Sequence, residues 1–189
     1  MARGFSREEL ESFRDATVPD LLGPKLSMLF VGINPGLWTA ATQTHFCHPS
    51  NRFYGAIRQA GLIDWSVDTS IGMSDDQRRS FTDSGLGITN LVSRATVRAS
   101  ELSASELKKG SKQLEALASD RRPAVVAVAG VTAFRTAFNR PKAQTGRQEE
   151  GIVEADLWVV PNPSGLNAHE TVDSLAHWYR KAAKAAGLL

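Results

Sequence analysis

The sequence predicts an α/β protein, a three-layer sandwich in which a small, mainly parallel central sheet is flanked by helices. Short, continuously apolar segments, typical of strands buried on both faces, alternate with segments of helical periodicity. Two of these apolar segments end in similar sequences, VGINPG at 31–36 and VVPNPSGLN at 159–167. The 189 residues are 42% hydrophobic and 22% charged, which suits one globular domain and excludes disordered, collagen-like and coiled-coil chains.

Each element of the first half is marked by a local pattern. Ser6–Glu9 has the form of a capping box and predicts a helix that runs toward Ala16. SMLFVGIN is a continuous apolar run stopped by Pro35-Gly36, which predicts the first central strand. After a loop rich in Thr, His and Pro, Phe53 and Ile57 recur at helical spacing. The predicted elements are a helix at 6–16, a strand at 27–34, helices at 51–61 and 73–84, and a strand at 87–92.

The second half repeats the alternation. Leu107 and Leu114 lie at helical intervals, AVVAVAG reads as a second strongly buried strand, and LWVVPNPSG repeats the pattern of the first. The predicted elements are a helix at 103–119, a strand at 124–130, a helix at 131–138, a polar surface loop at 140–151, a strand at 157–165 and a helix at 169–186. We predict an N-terminal helical extension at 1–20 and a single domain at 21–189.

Composition excludes several classes of protein. The longest apolar segment, Ala124–Gly130, is far shorter than the roughly 18 residues of a membrane span, so no membrane partner is expected. The N-terminal residues lack the apolar core of an export signal, which predicts a cytoplasmic location. The single cysteine, Cys47, excludes an internal disulfide and a four-cysteine iron–sulfur cluster. The net charge of +2 is compatible with a polyanionic partner without indicating one.

Amide and hydroxyl side chains gather where two predicted strands end. In open parallel sheets ligands bind beyond the carboxyl ends of the strands. Neither VGINPG nor VVPNPSGLN contains a carboxylate, and an amide can orient a water but cannot act as a strong base. Such a site suits a leaving group that departs nearly unaided through a cationic, sugar-like transition state. Two ordinary turns are the alternative, since Asn-Pro and Pro-Ser-Gly are common turn formers.

Two other kinds of site are disfavoured. His45 and His48 beside Cys47 lie on a predicted loop, without the framework or the fourth ligand of a zinc site, so we expect no metal. A nucleotide- or phosphate-binding α/β protein would carry GxGxxG or GxxxxGK[ST] after a strand, and the sequence has neither.

Three short motifs resemble those of a known enzyme family. GINPG at 32–36, HPSNRF at 48–53 and NPSGL at 162–166 closely resemble, in order and spacing, the mismatch-specific uracil-DNA glycosylases of the thymine-DNA glycosylase family. The resemblance runs from about Leu21 to the C-terminus. It implies a small parallel sheet flanked by helices, and hydrolysis of the N-glycosidic bond of a uracil flipped out of duplex DNA.

The resemblance also implies roles for single residues. Asn34 would position the attacking water, and Phe46 would stack on the flipped base. Asn162 would contact the flipped nucleotide, and Leu166 would fill the space that this nucleotide leaves. For Phe46 and Leu166 an ordinary packing role is the alternative. The implied catalytic residues are Asn34 and Asn162, the substrate-binding residues are Ile33, Gly36, Phe46, Asn51 and Asn90, and the DNA-binding residues are Ser164, Gly165, Leu166, Asn167 and Ala168.

The sequence departs from the family pattern at two places. Bacterial relatives typically continue the second Asn-Pro motif with Ser and Arg, whereas this chain has Asn167 and Ala168, which removes one charged contact to DNA. Asn90 stands where the enterobacterial enzyme has Lys, which leaves open whether thymine or etheno-modified cytosine is accepted beside uracil.

The predicted function is that of a monomeric, monofunctional glycosylase that needs no cofactor and leaves an abasic site in double-stranded DNA containing mispaired uracil. No lysine is placed to form a Schiff base. Two alternatives stay open: a broader uracil or hypoxanthine glycosylase that ignores the opposite guanine, and a non-catalytic protein that binds damaged DNA. Cleavage of different duplexes, and tight binding without base release, distinguish them.

Overall fold

The computed structural model describes residues 4–189 and confirms the predicted three-layer α/β fold. The strands are β1 (Met28–Gly32), β2 (Leu86–Asn90), β3 (Val125–Ala129), β4 (Gly146–Arg147) and β5 (Asp156–Val160). The helices are α1 (Arg7–Glu11), α2 (Leu37–Thr42), α3 (Phe53–Gln59), α4 (Asp75–Asp83), α5 (Ala104–Arg121), α6 (Val131–Ala137) and α7 (Val172–Ala185), with a 3₁₀ turn at Ala99–Glu101.

The five strands form one sheet in the order β2-β1-β3-β5-β4. All neighbours are parallel except β4, which pairs antiparallel with β5. The chain leaves β1 toward β2 on one side and later returns to place β3 on the other side of β1. The strand order therefore reverses between β1 and β3, and the loops after these strands diverge to leave a crevice at the carboxyl edge of the sheet.

Side chains of the central strands alternate between the two faces of the sheet. In β1, Phe30 packs into a core with residues of α3 and α7, and Val31 packs into a second core with residues of α5 and α6. Both faces are thus covered by helices, which explains why β1 and β3 are apolar at every position rather than at alternate positions.

Two short elements differ from the sequence predictions. The sequence predicts a loop after Gly36, whereas the structure has α2 there; its two threonines disfavour a helix, and six residues are too few to show a period. β4 lies within the predicted polar loop 140–151 and has only two residues, so it leaves no alternating pattern.

Three predicted elements differ from the structure by three residues or more at one end. The helix predicted over 6–16 ends at Glu11, because the chain turns at Asp15, whose φ is 62° and whose N–H donates to the Ala95 carbonyl. The strand predicted over 157–165 ends at Val160, where a proline follows. The helix predicted from 169 begins at Val172, because Thr171 caps it.

The segment before β1 packs on the domain and covers one edge of its sheet. Phe13 and Val18 join a small apolar cluster with Leu37 of α2. Leu21 and Ile88 exchange backbone hydrogen bonds of 2.9 Å across the outer edge of β2, antiparallel to it. Within residues 4–189, none of the helices is both long and apolar enough to cross a bilayer.

Candidate active site

A cavity of about 790 Å³ lies at the carboxyl edge of the sheet. Its walls come from the loops after β1, β3 and β5, where ligands bind in open α/β sheets. Eleven of the twelve predicted site residues line this cavity, so the structure brings the three sequence motifs together. The exception is Ala168, which is exposed on the loop after β5. The eleven are Ile33, Asn34, Gly36, Phe46, Asn51, Asn90, Asn162, Ser164, Gly165, Leu166 and Asn167.

The amide of Asn34 is held by three acceptors. Its Nδ2 lies 3.1 Å from the Pro35 carbonyl oxygen, 3.0 Å from the Arg94 carbonyl oxygen and 2.8 Å from Thr96 Oγ1. Carbonyl oxygens only accept hydrogen bonds, so these partners fix which end of the amide carries the protons. Within the described chain no protein donor reaches the opposite atom, Oδ1, which is therefore free to accept from a water in the cavity.

Thr96 holds the segment after β2 against Asn34. Its side chain is almost fully buried, and its Oγ1 donates to the Arg98 carbonyl at 2.9 Å while accepting from Asn34. Because that oxygen both accepts and donates, the hydroxyl rotor is fixed as well. The sequence analysis did not find Thr96, since a single threonine in a loop carries no local signal of such a contact.

Phe46 presents an aromatic ring to the cavity. One face of the ring stacks on Phe53, with centroids 4.2 Å apart and planes 25° from parallel. The residue has a φ of 57°, a left-handed conformation that a bulky side chain rarely adopts and that is found mainly where the surrounding structure enforces it. The side chain is half-buried, so the face away from Phe53 is the one that a planar ligand can cover.

Gly32, the last residue of β1, leaves the space in which Phe46 and Asn90 meet. A Cβ at this position would overlap Asn90 Oδ1 and lie 3.2 Å from Phe46 Cζ. The acceptor oxygen of Asn90 and the ring of Phe46 are therefore adjacent in the same recess of the cavity.

His45 fixes the orientation of the Asn90 amide. His45 Nε2 lies 2.9 Å from the Pro19 carbonyl oxygen and must donate to it, which leaves Nδ1 as an acceptor. Asn90 Nδ2 donates to this Nδ1 at 3.1 Å. Burial lowers the pKa of the His45 imidazole, which favours the neutral form that this arrangement requires. The amide thus keeps Oδ1 and one Nδ2 proton for another partner.

The HPSNRF motif forms the rim of the cavity and the start of α3. His48 Nδ1 accepts from the backbone N–H of Ser50, so the neutral ring carries its proton on Nε2. Partial burial lowers the pKa of His48. Asn51 Oδ1 accepts from the Phe53 N–H at the first turn of α3 at 2.9 Å, which leaves its Nδ2 as the free donor.

The loop after β5 carries the most exposed large apolar side chain of the described residues. Leu166 is 87% exposed at the mouth of the cavity. Asn162 Oδ1 accepts from the Ser164 N–H at 3.0 Å, which leaves Nδ2 as the remaining donor of this side chain. A Cβ at Gly165 would overlap Ser50 Oγ, so the loop packs closely on the HPSNRF motif.

Two further findings bear on the chemistry. Both ring nitrogens of His45 bond to protein groups, and among residues 4–189 no three His, Cys, Asp or Glu side chains form a group suited to a metal ion.

Glu170, which the sequence analysis missed, also lines the cavity, and its Oε2 accepts from Ser174 Oγ at 2.6 Å. It lies beyond VVPNPSGLN at 159–167, the motif that contains no carboxylate.

Comparison with known proteins agrees with this geometry. Residues 19–185 match the model of the uracil DNA glycosylase superfamily. The fold matches the solution NMR structure of a candidate uracil DNA glycosylase from Methanosarcina acetivorans with a TM-score of 0.61, covering 92% of this chain and 98% of that one at 15% sequence identity. At that identity the structural match speaks for the fold alone, whereas the family match spans nearly the whole chain. The chain therefore belongs to the uracil DNA glycosylase superfamily.

Proposed function

We propose that this protein is a monofunctional DNA glycosylase that hydrolyses the N-glycosidic bond of uracil in G:U mispairs and leaves an abasic site. The observation that carries the proposal is the Asn34 amide, whose Nδ2 is held by three acceptors while Oδ1 is free at the cavity. An amide oxygen held in this way accepts a hydrogen bond from one water and orients it for attack. It does not deprotonate that water, so bond cleavage must be driven by the leaving group.

Loss of the base before attack by water fits this arrangement. As the N-glycosidic bond breaks, the sugar acquires oxocarbenium character and the electron pair of the bond moves onto uracil. Water held by Asn34 then adds to the anomeric carbon and loses a proton to solvent. The uracil anion takes up a proton from solvent, so the products are free uracil and a deoxyribose that is still joined to both phosphates. Uracil suits this mechanism, because its ring delocalises the negative charge.

The recess formed by Gly32, Phe46 and Asn90 supports uracil as the base. A pyrimidine flipped out of the duplex would cover the free face of Phe46, since a base stacks on an aromatic ring. The Asn90 amide, oriented by His45, offers an acceptor and one free Nδ2 proton, which match the N3–H and O4 of uracil. Cytosine presents the opposite pattern, with an acceptor at N3 and a donor at C4.

The loop after β5 supports action on duplex DNA. Leu166 projects into solvent beside the cavity, as expected of an apolar wedge that occupies the gap left by a flipped nucleotide. Asn162 Nδ2 would contact the flipped nucleotide. Backbone groups at Gly165 and Ala168 would face the unpaired guanine, which is the basis for preferring a G:U mispair.

The experiment that tests the proposal is release of uracil from labelled oligonucleotides by the purified protein. Duplexes with one G:U, A:U or G:T pair, and single-stranded DNA with one uracil, are incubated with wild type and Asn34→Ala and then heated in alkali. We expect cleavage of G:U first, by wild type only, and no strand break without alkali. Equal cleavage of A:U and single strands would assign a broader uracil glycosylase. Tight binding of a duplex with an abasic site, without base release from any substrate, would assign a damage-binding protein.

A further inference from the structure

Arg52 joins the HPSNRF motif to the loop after β5, which we call the wedge loop (residues 161–168). Its backbone N–H donates to the Pro163 carbonyl at 3.0 Å. From its side chain, Nη1 donates to the carbonyl oxygens of Ser164 and Asn167, each at 3.1 Å. These two carbonyls lie on either side of Leu166 in the sequence. One half-buried guanidinium therefore holds both ends of the turn that carries the exposed leucine.

A second set of hydrogen bonds closes the wedge loop from within. Asn167 Nδ2 donates to the Asn162 carbonyl at 3.0 Å, and the Asn167 N–H donates to the Ser164 carbonyl at 2.9 Å. The Leu166 N–H lies 3.3 Å from Ser164 Oγ. The carbonyl oxygens of Asn162, Pro163, Ser164 and Asn167 thus all accept hydrogen bonds from Arg52 or Asn167. Leu166 projects outward from this turn, at 87% exposure.

We infer that Arg52 and Asn167 are positioning residues that preform the wedge loop so that Leu166 is placed for insertion before DNA binds. The inference rests on the proposed function and adds to it how the wedge is held. A loop that is already ordered does not lose conformational entropy when the duplex is opened, which favours the flipped state. The guanidinium suits this role because its donors lie in one rigid plane, whereas a lysine ammonium sits on a flexible stem.

The assignment also accounts for the departure from the family pattern at 167. The side chain of Asn167 is directed into the loop, onto the Asn162 carbonyl, rather than toward solvent. It therefore contributes to the shape of the loop, whereas the charge that the family pattern would supply is absent at the next position, Ala168.

The test compares single-turnover uracil release from a G:U duplex by wild type, Arg52→Met, Leu166→Ala and the double variant. Arg58→Met is the matched control, because it removes the same charge from an exposed position on α3, the helix that Arg52 directly precedes. We expect Arg52→Met to slow release about tenfold or more, the scale of one charged hydrogen bond, and Arg58→Met to have no effect. In the Leu166→Ala background Arg52→Met should change the rate by less than about twofold, because it acts through Leu166.

A second readout does not depend on catalysis. Wild type should prefer a duplex with an abasic site opposite guanine over a fully paired duplex, and Arg52→Met should lose most of that preference while Arg58→Met keeps it. Asn167→Ala should behave like Arg52→Met in both measurements, and it leaves α3 intact if Arg52→Met fails to fold.

Three outcomes would overturn the inference: rates for Arg52→Met equal to those for Arg58→Met, losses from Arg52→Met and Leu166→Ala that multiply, or an unchanged preference for abasic DNA. Failure of the proposed function is distinguishable. In that case wild type releases no uracil, while the binding comparison still shows whether Arg52 and Asn167 hold the wedge loop.

Discussion

Replacing Asn34 tests whether its hydrogen-bonded amide is required for release of uracil. Asn34→Ala removes the donor from the Pro35 and Arg94 carbonyls and leaves Thr96 Oγ1 with only its bond to Arg98. Unpaired, partly buried acceptors cost about 1–3 kcal/mol, so the free energy of unfolding should fall by that amount. The rate should fall at least about 100-fold, the usual loss when a reactant is no longer held in line.

Asn34→Asp sharpens the test because it keeps the shape and changes only the hydrogen bonding. A carboxylate oxygen in place of Nδ2 would face two carbonyl oxygens, so this variant should be less stable than Asn34→Ala. The added carboxylate should not restore activity, since the side chain must turn away from these carbonyls and no longer aims at the water.

The assay is single-turnover cleavage of a labelled G:U duplex, read after alkali, together with urea unfolding followed by circular dichroism. If Asn34→Ala cleaves within about threefold of wild type, the water-positioning role is wrong. If Asn34→Asp unfolds at the same urea concentration as wild type, the account of the three hydrogen bonds is wrong.

Three further changes test the base recess, the core and the buried imidazole. Phe46→Leu keeps an apolar side chain but removes the stacking face, so uracil release should slow about tenfold or more; an unchanged rate would contradict stacking. Gly110→Ala gains about 1 kcal/mol of helix propensity, but its Cβ would overlap the Leu91 carbonyl, where overpacking costs about 1–3 kcal/mol. A lower urea midpoint is expected, and a higher one would show that α5 can shift. The pKa of His45 is lowered in the folded protein, so below about pH 6.5 the imidazole of the unfolded chain takes up a proton before that of the folded chain does. The free energy of unfolding of wild type should therefore fall as the pH is lowered below about 6.5. His45→Gln lacks this proton uptake, so its urea midpoint should fall less than that of wild type between about pH 7.5 and 5.5. Equal falls of the two midpoints would refute the role of His45 in this pH dependence.

The sequence predicted the parts of the fold that have strong local patterns. β1 and β3 are continuous apolar runs because both faces of the sheet are covered, and α5 begins at Ala104, one residue after its predicted start. α2, which has six residues and two threonines, and β4, which has only two residues, were missed because neither shows a recognisable periodic pattern.

The site residues likewise fall into those that the sequence predicted and those that it did not. The Asn-Pro motifs were found because they sit at strand ends, where backbone geometry restricts the sequence. Thr96, His45 and Arg52 were not assigned, because their roles come from partners that are distant in sequence: Thr96 is 62 positions from Asn34, His45 is 45 from Asn90, and the Arg52 side chain bonds a carbonyl 112 positions away. Only the folded chain brings these pairs together.

The backbone bonds between Leu21 and Ile88 bear on how much of the outer sheet edge is open to another strand. β2 is an outer strand of the sheet, and a bare edge of this kind offers a row of unpaired groups to which a second chain can add. Leu21 occupies that edge from within the same chain, and the opposite edge ends in β4, which is only two residues long. Neither edge leaves a long template for intermolecular strand addition, and at β2 it is the segment leading into the domain that supplies this protection.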